Sequence, residues 1–198
     1  MKCDVSKYFD NVDHEILLNL LKKKIKDERT LFLLEKIIGS NPRGIPIGNL
    51  TSQLFANVYL NELDHFVKRQ LKEKCFIRYM DDFLILNPDK RRLQADKEKI
   101  RIFLAEKLKL TLHPKKAEIF PIGRGIDFLG YVVRGQKRFL RKSTVKRFIK
   151  KRKRCFALLR KDKLTPEFIG RMDSSWRGYA QFANSYKLME KLGLNKRN

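Results

Sequence analysis

The chain is poor in acid, in cysteine and in long apolar runs, and each shortage closes off a class of protein. Its 198 residues hold 22 Asp and Glu against 46 Lys and Arg, a formal net charge of +24, far beyond what solubility requires, so a polyanionic partner is expected. Three cysteines, Cys3, Cys75 and Cys155, are too few and too widely spaced for a disulfide framework or a zinc site. Each is expected to be buried. His14, His65 and His113 have no metal-ligand spacing. No apolar run is long enough for a membrane span and no signal peptide opens the chain, so a soluble, cytoplasmic protein is expected.

What is present is an apolar content of 42%, enough for a chain of this length to bury a sizeable core. The periodicities predict a strand over 2–6, helices over 14–25, 29–38 and 52–71, a hairpin over 75–86 and a helix over 89–108. Strands over 110–112 and 117–120, a hairpin over 127–140 and helices from 143 and 166 follow. An antiparallel sheet with helices on one face is an α+β architecture. The positive charge is concentrated: residues 134–161 carry 14 basic residues and no acidic one. Val145, Phe148, Ile149, Phe156 and Leu159 recur there at roughly helical spacing, which predicts a packed stripe and a basic face. That face is either a solvated or localisation-type patch or a set of phosphate contacts, with Lys146, Lys150, Lys151, Lys153 and Arg154 as candidates. Thr165-Pro166-Glu167 opens the last long helix, with Thr165 as cap and Pro166 in its first turn. Trp176 and Tyr179 are expected to face inward along it.

Tyr79-Met80-Asp81-Asp82 is the most informative stretch. It places two adjacent carboxylates at a tight turn between the strand-forming segments Cys75-Phe76-Ile77-Arg78 and Phe83-Leu84-Ile85-Leu86. Carboxylates fixed on rigid backbone suit a hard divalent cation held against a triphosphate. Asp-Asp alone is also an ordinary solvated turn. At the other end, Asp4 lies on the first predicted strand and Phe9 follows five residues later. If that strand lies beside the hairpin, Asp4 and Asp81 can bridge two Mg²⁺ ions about 3.5–4 Å apart, as in-line phosphoryl transfer uses. Between the two sites Arg43-Gly44-Ile45-Pro46-Ile47-Gly48-Asn49-Leu50-Thr51-Ser52-Gln53 is a Gly/Pro-containing loop opening a helix, with Thr51 or Ser52 as cap. Leu54, Phe55, Val58, Tyr59, Leu63, Phe66 and Val67 form its packed face. Gly44 and Gly48 permit close backbone approach to a base pair or phosphate.

An aspartate, an aromatic five residues on and a distant Tyr-Met-Asp-Asp resemble motifs A and C of reverse transcriptases, and the intervening loop resembles motif B. Leu108 to Lys116 resembles motif D, and Phe128-Leu129-Gly130-Tyr131 resembles motif E, the primer grip. The resemblance implies a polymerase palm over 1–138 and a basic helical thumb over 139–198. It implies RNA-directed DNA polymerisation with two Mg²⁺ ions, an RNA template, a DNA primer and deoxynucleoside triphosphates. Asp4, the Val5 backbone, Asp81 and Asp82 would hold metal, with Lys116 protonating pyrophosphate. Phe9, Ile47, Gly48 and Gln53 would meet the nucleotide, and Phe128, Leu129 and Gly130 the primer end.

Most of the family carries Gln-Gly and Ser-Pro where this chain has Ile47-Gly48 and Ser52-Gln53. The departure resembles the error-prone enzymes of diversity-generating retroelements, which implies an accessory protein as a further partner. In the family a fingers region precedes motif A, whereas the strand here starts at residue 2, so the resemblance implies a truncated frame. The alternative is a catalytically silent remnant that still binds nucleic acid.

Overall fold

A computed structural model describes residues 1–195, which form two compact units divided between Ile119 and Phe120. In the first, β1 (Lys2–Asp4), β2 (Cys75–Tyr79) and β3 (Asp82–Leu86) make an antiparallel sheet of order β1-β3-β2. Four helices accompany it: α1 (His14–Lys22), α2 (Glu28–Gly39), α3 (Leu50–His65) and α4 (Lys90–Leu108). Cys3, Val5, Phe83 and Ile85 share one core with Phe55, Tyr59, Leu63, Ile100 and Leu104. The alternation of β1 and β3 turns these side chains inward and leaves Asp4 and Asp82 on the opposite face of the sheet. Asp13 caps α1 by accepting from the Ile16 amide at 3.0 Å. The buried Tyr59 hydroxyl accepts from the Asp13 amide (3.3 Å) and donates to the Leu108 carbonyl (2.7 Å), joining the start of α1 to the end of α4. Burial pushes that phenol up to about 12.

Several predicted elements change. The helix expected over 52–71 starts at Leu50 behind Asn49 rather than at a Ser52 or Thr51 cap, and its end widens into a π turn at Phe66–Gln70. Ser52 is buried instead, and Leu54, expected in the packed face, is exposed. The strands expected over 110–112 and 117–120 are two isolated bridges to the first strand, Val5 with Leu112 and Lys2 with Glu118. Between them His113 to Lys116 turns away, where Pro114 has no amide to donate to a ladder.

The second unit begins at Phe120, not at the expected boundary between 138 and 139. The expected single hairpin over 127–140 is a three-stranded sheet, β4 (Ile126–Phe128), β5 (Tyr131–Arg134) and β6 (Lys137–Leu140). It belongs with α5 (Lys142–Leu159), α6 (Pro166–Ala180) and α7 (Tyr186–Lys191) because it shares their core: Tyr131 and Leu140 pack with Phe148, Trp176 and Met189. Phe148 and Trp176 stack at 4.0 Å. At the edge of β6, Asn184 behaves like a strand residue. Its amide donates to the Arg138 carbonyl (2.6 Å) and its Oδ1 accepts from the Arg138 amide (3.0 Å). Cys155, not Phe156, lies in the buried stripe of α5, and Arg152 stands over the exposed Phe156 ring. Cys3 and Cys155 are buried as expected, but Cys75, at the start of the edge strand β2, is exposed. Among the described residues no helix is long and apolar enough to cross a membrane.

Candidate active site

The register of β1 against β3 places Asp4 directly opposite Asp82. Two carboxylates in a cross-strand pair repel, and Asp81 is next in the chain. Asp81 and Asp82 are both weaker acids than usual. Burial pushes the Asp81 carboxyl above its usual range, and the negative charge of Asp4 adds to the effect. Burial does the same to Asp82, opposed by Lys2 and reinforced by Asp4 and Asp81. Asp82 Oδ1 is buried with no hydrogen-bond partner, an unusual state for a carboxylate oxygen.

Two ammonium groups compensate part of this charge. Lys116 Nζ lies 2.9 Å from Asp4 Oδ2, and Lys2 Nζ lies 3.2 Å from Asp82 Oδ2. The turn at His113 to Lys116, which interrupts pairing to the first strand, is what brings Lys116 over Asp4: the His113 amide donates to the Asp4 carbonyl at 2.8 Å. Val5 is wholly buried, and its amide donates to the Asp81 carbonyl at 3.2 Å, tying the first strand to the hairpin turn. The donors gathered here are hard carboxylate oxygens, the set that suits Mg²⁺ rather than a softer metal. Among the described residues no three His, Cys, Asp or Glu side chains stand as a ready-made metal cage.

The turn itself is Met80-Asp81, since Tyr79 pairs with Asp82. Met80 has φ +53, a left-handed backbone uncommon for a residue with a Cβ. Arg78 spans this turn from below. Its Nε and Nη2 donate to the two Asp64 carboxylate oxygens (2.7 and 2.6 Å), and Nη1 donates to the Met80 carbonyl (3.0 Å) and to Asn57 Oδ1 (3.2 Å). Sequence reading missed Arg78, Asp64 and Lys2. In Cys75 to Tyr79 apolar residues occupy both faces, so no alternation flags Arg78 as inward-facing.

Phe9 opens a 3₁₀ turn (Phe9–Asn11), half-buried against the core and edge-on to Tyr8. The candidate motif B loop docks on that turn. The Ile45 amide donates to the Phe9 carbonyl (2.8 Å), and His14 Nε2 lies 2.6 Å from the Gly44 carbonyl oxygen. Gly44 has φ +67, and a Cβ there would fall 2.7 Å from the Asp10 Cα. The close approach expected of Gly44 is therefore to the chain's own backbone. Gly48 has φ +105 with open space around it, and Ile47, 79% exposed, and Gln53 face solvent at the start of α3.

In the second unit the Leu129-Gly130 turn between β4 and β5 has positive φ at both residues (+51 and +86), the pattern of a type I′ hairpin. Phe128 pairs with Tyr131 beneath it. The Tyr179 hydroxyl donates to the Gly130 carbonyl at 2.8 Å and anchors the turn to α6. Leu129 and Gly130 border an open groove of about 970 Å³ with Arg141, Arg147, Lys151, Phe168, Arg171 and Trp176. Arg141 is paired with Asp127. Lys151 is thus brought beside the hairpin, whereas Lys146, Lys150, Lys153 and Arg154 are exposed elsewhere along α5.

Known proteins resemble this chain along much of its length. Protein YkfC of Escherichia coli (strain K12) is 28% identical over 78% of this chain and 52% of its own length. Group II intron-encoded protein LtrA of Lactococcus lactis subsp. cremoris is 27% identical over 76% of this chain and 37% of its own. Putative COX1/OXI3 intron 2 protein of Saccharomyces cerevisiae is 23% identical over 68% of this chain and 23% of its own. The chain thus spans about half of the first relative and less of the others. Residues 1–133 match the family described as Reverse transcriptase (RNA-dependent DNA polymerase), a span that holds Asp4, Asp81, Asp82 and Lys116 together, and the chain belongs to that family.

Proposed function

We propose that this chain is the catalytic core of an RNA-directed DNA polymerase, in which Asp4, Asp81 and Asp82, with the Val5 backbone, hold two Mg²⁺ ions. The observation that carries the reading is the opposed pair Asp4 and Asp82, with one Asp82 oxygen buried and bare beside Asp81. Bound Mg²⁺ supplies charge neutralisation and polarises the triphosphate. The chain's own groups do the rest. Lys116, already at Asp4, donates a proton to departing pyrophosphate. Phe9, on the turn that receives the Gly44-Ile45 backbone, forms the wall against a 2′-hydroxyl. Phe128, Leu129 and Gly130 present backbone to the primer end. The groove beside them takes the primer phosphates through Arg147 and Lys151, and Lys146, Lys150, Lys153 and Arg154 extend the contact. In this reading the first unit is palm and the second includes thumb.

The subtype has two readings, each with its own observation. Ile47 and Gln53 favour the retroelement type, with its accessory protein, because an apolar side chain at the loop has no amide with which to check a nascent pair. The relatives named for introns favour an intron-encoded enzyme. Sequencing of complementary DNA made on one defined RNA separates them: an excess of errors opposite template adenine, reduced by Ile47→Gln, supports the first, and an even spectrum supports the second.

The polymerase reading is tested by Asp4→Asn and Asp81→Asn in the intact protein that carries this chain. Both variants are expected to bind an RNA-DNA template-primer as the parent does and to lose primer extension. Extension at the parent rate by either variant overturns the metal assignment. A parent that binds template-primer but never extends it is a silent remnant.

A further inference from the structure

Arg78 is the charged residue on the helix-facing side of β2, with a side chain 9% exposed. It donates four hydrogen bonds, and they tie together two pieces of structure: Asp64 and Asn57 on α3, and the carbonyl of Met80 in the hairpin turn. The last of these matters most. Met80 holds left-handed backbone without being glycine, and such a conformation persists only where its surroundings over-determine it. The residue after it is Asp81.

We propose that Arg78 is a positioning residue for Asp81: its grip on Asp64 and on the Met80 carbonyl fixes the left-handed turn and so fixes the direction in which the Asp81 carboxylate faces Asp4. The proposal rests on the metal-site reading of the three aspartates. Five backbone strand pairs from Cys75–Leu86 to Tyr79–Asp82 hold the hairpin together without help from the Arg78 side chain, so loss of the guanidinium frees the turn and spares the strands. Lysine cannot replace it. An ammonium reaches Asp64 as a point charge, whereas the guanidinium fork engages both carboxylate oxygens and still presents Nη1 to the turn.

The test uses Mn²⁺ alone as probe, with no nucleotide or nucleic acid, and follows the free ion by its paramagnetic resonance as it is titrated into the protein. Arg78→Lys and Asp64→Asn break the clasp from opposite sides, and each is expected to weaken Mn²⁺ binding by about tenfold, the usual cost of losing a partner that orients a metal ligand. Amide hydrogen exchange should quicken at Val5, whose amide donates to the Asp81 carbonyl, in both variants and stay slow at Ile77 and Ile85. Asp81→Asn serves as the reference, losing Mn²⁺ binding outright. If Asp81→Asn binds less while both clasp variants bind as the parent does, Arg78 does not position the site. If Asp81→Asn also binds as the parent does, the metal-site reading has failed and the positioning role goes with it. Quicker exchange throughout both strands would show a structural role only and would also overturn the proposal.

Discussion

The two units treat charge in opposite ways. The first carries 24 basic and 17 acidic residues, the second 22 basic and only 5 acidic. In the first, Lys2, Arg78, Arg92, Arg101, Lys109 and Lys116 each pair with a carboxylate. In the second, Asp127 and Asp173 engage Arg141 and Arg152, and there are too few acids to pair the rest. A paired cation fixes a side chain, and a cation left to solvent attracts a distant polyanion. One unit uses charge to hold a geometry; the other leaves most of its charge without a carboxylate to meet.

The sharpest way to break this contrast is to remove cations from each side. Replacing Lys150, Lys151, Lys153 and Arg154 together by glutamine should weaken template-primer binding by roughly a hundredfold. It should also make the slope of log affinity against log salt shallower by roughly 0.9 for each phosphate no longer neutralised. Arg101→Gln, which removes the partner of Glu98 in the first unit, should leave both unchanged. Equal effects in a salt titration of the two proteins would erase the distinction.

Backbone fixation is the second line. Gly44→Ala drives a Cβ into the Phe9 and Asp10 backbone and should cost about 3 kcal/mol by denaturant melting. Gly48→Ala, with positive φ but open space, should cost less, about 1–2 kcal/mol from backbone strain alone. Tyr179→Phe tests fixation in the second unit: losing the hydroxyl that holds Gly130 should cost about 1 kcal/mol and weaken primer binding without touching Mn²⁺ affinity.

The smallest expected effect concerns Asp96, buried in α4. Burial raises its carboxyl pKa, and the neighbouring Glu73 raises it further. The folded state therefore holds this proton more tightly than the unfolded state. Below the ordinary value of 3.8 both states are protonated and stability is unaffected. As pH rises from there through the raised folded value, the fold loses stability. Asp96→Asn should gain about 1 kcal/mol over the parent above that window and nothing below it, read from melting temperatures across pH.

What could be read in advance follows the range of the interactions involved. The hairpin that carries Asp81 and Asp82 was legible because apolar strand-forming segments flank a short turn, and the strand of Asp4 because its signal is local. The inward Trp176 was legible from helical periodicity. Arg78 and Asp64 were not, since their pairing spans 14 residues and two elements and neither is unusual in its own segment. The division at Ile119 was hidden for a similar reason: β-strands do not announce which helices will cover them, and the choice rests on Tyr131 and Leu140 meeting Trp176. Leu54 and Phe156 misled because an apolar residue near a packed stripe need not be in it.

Asn184 carries a consequence of a different kind. An edge strand offers a row of unpaired amides and carbonyls on which another copy of the same chain can add a strand. By taking both backbone groups of Arg138, Asn184 removes one donor-acceptor pair from the edge of β6, and the adjacent Lys137 and Arg138 add like charge that an approaching copy would have to meet. A second copy adding a strand to β6 would therefore have to displace Asn184 and bring its own cations against Lys137 and Arg138.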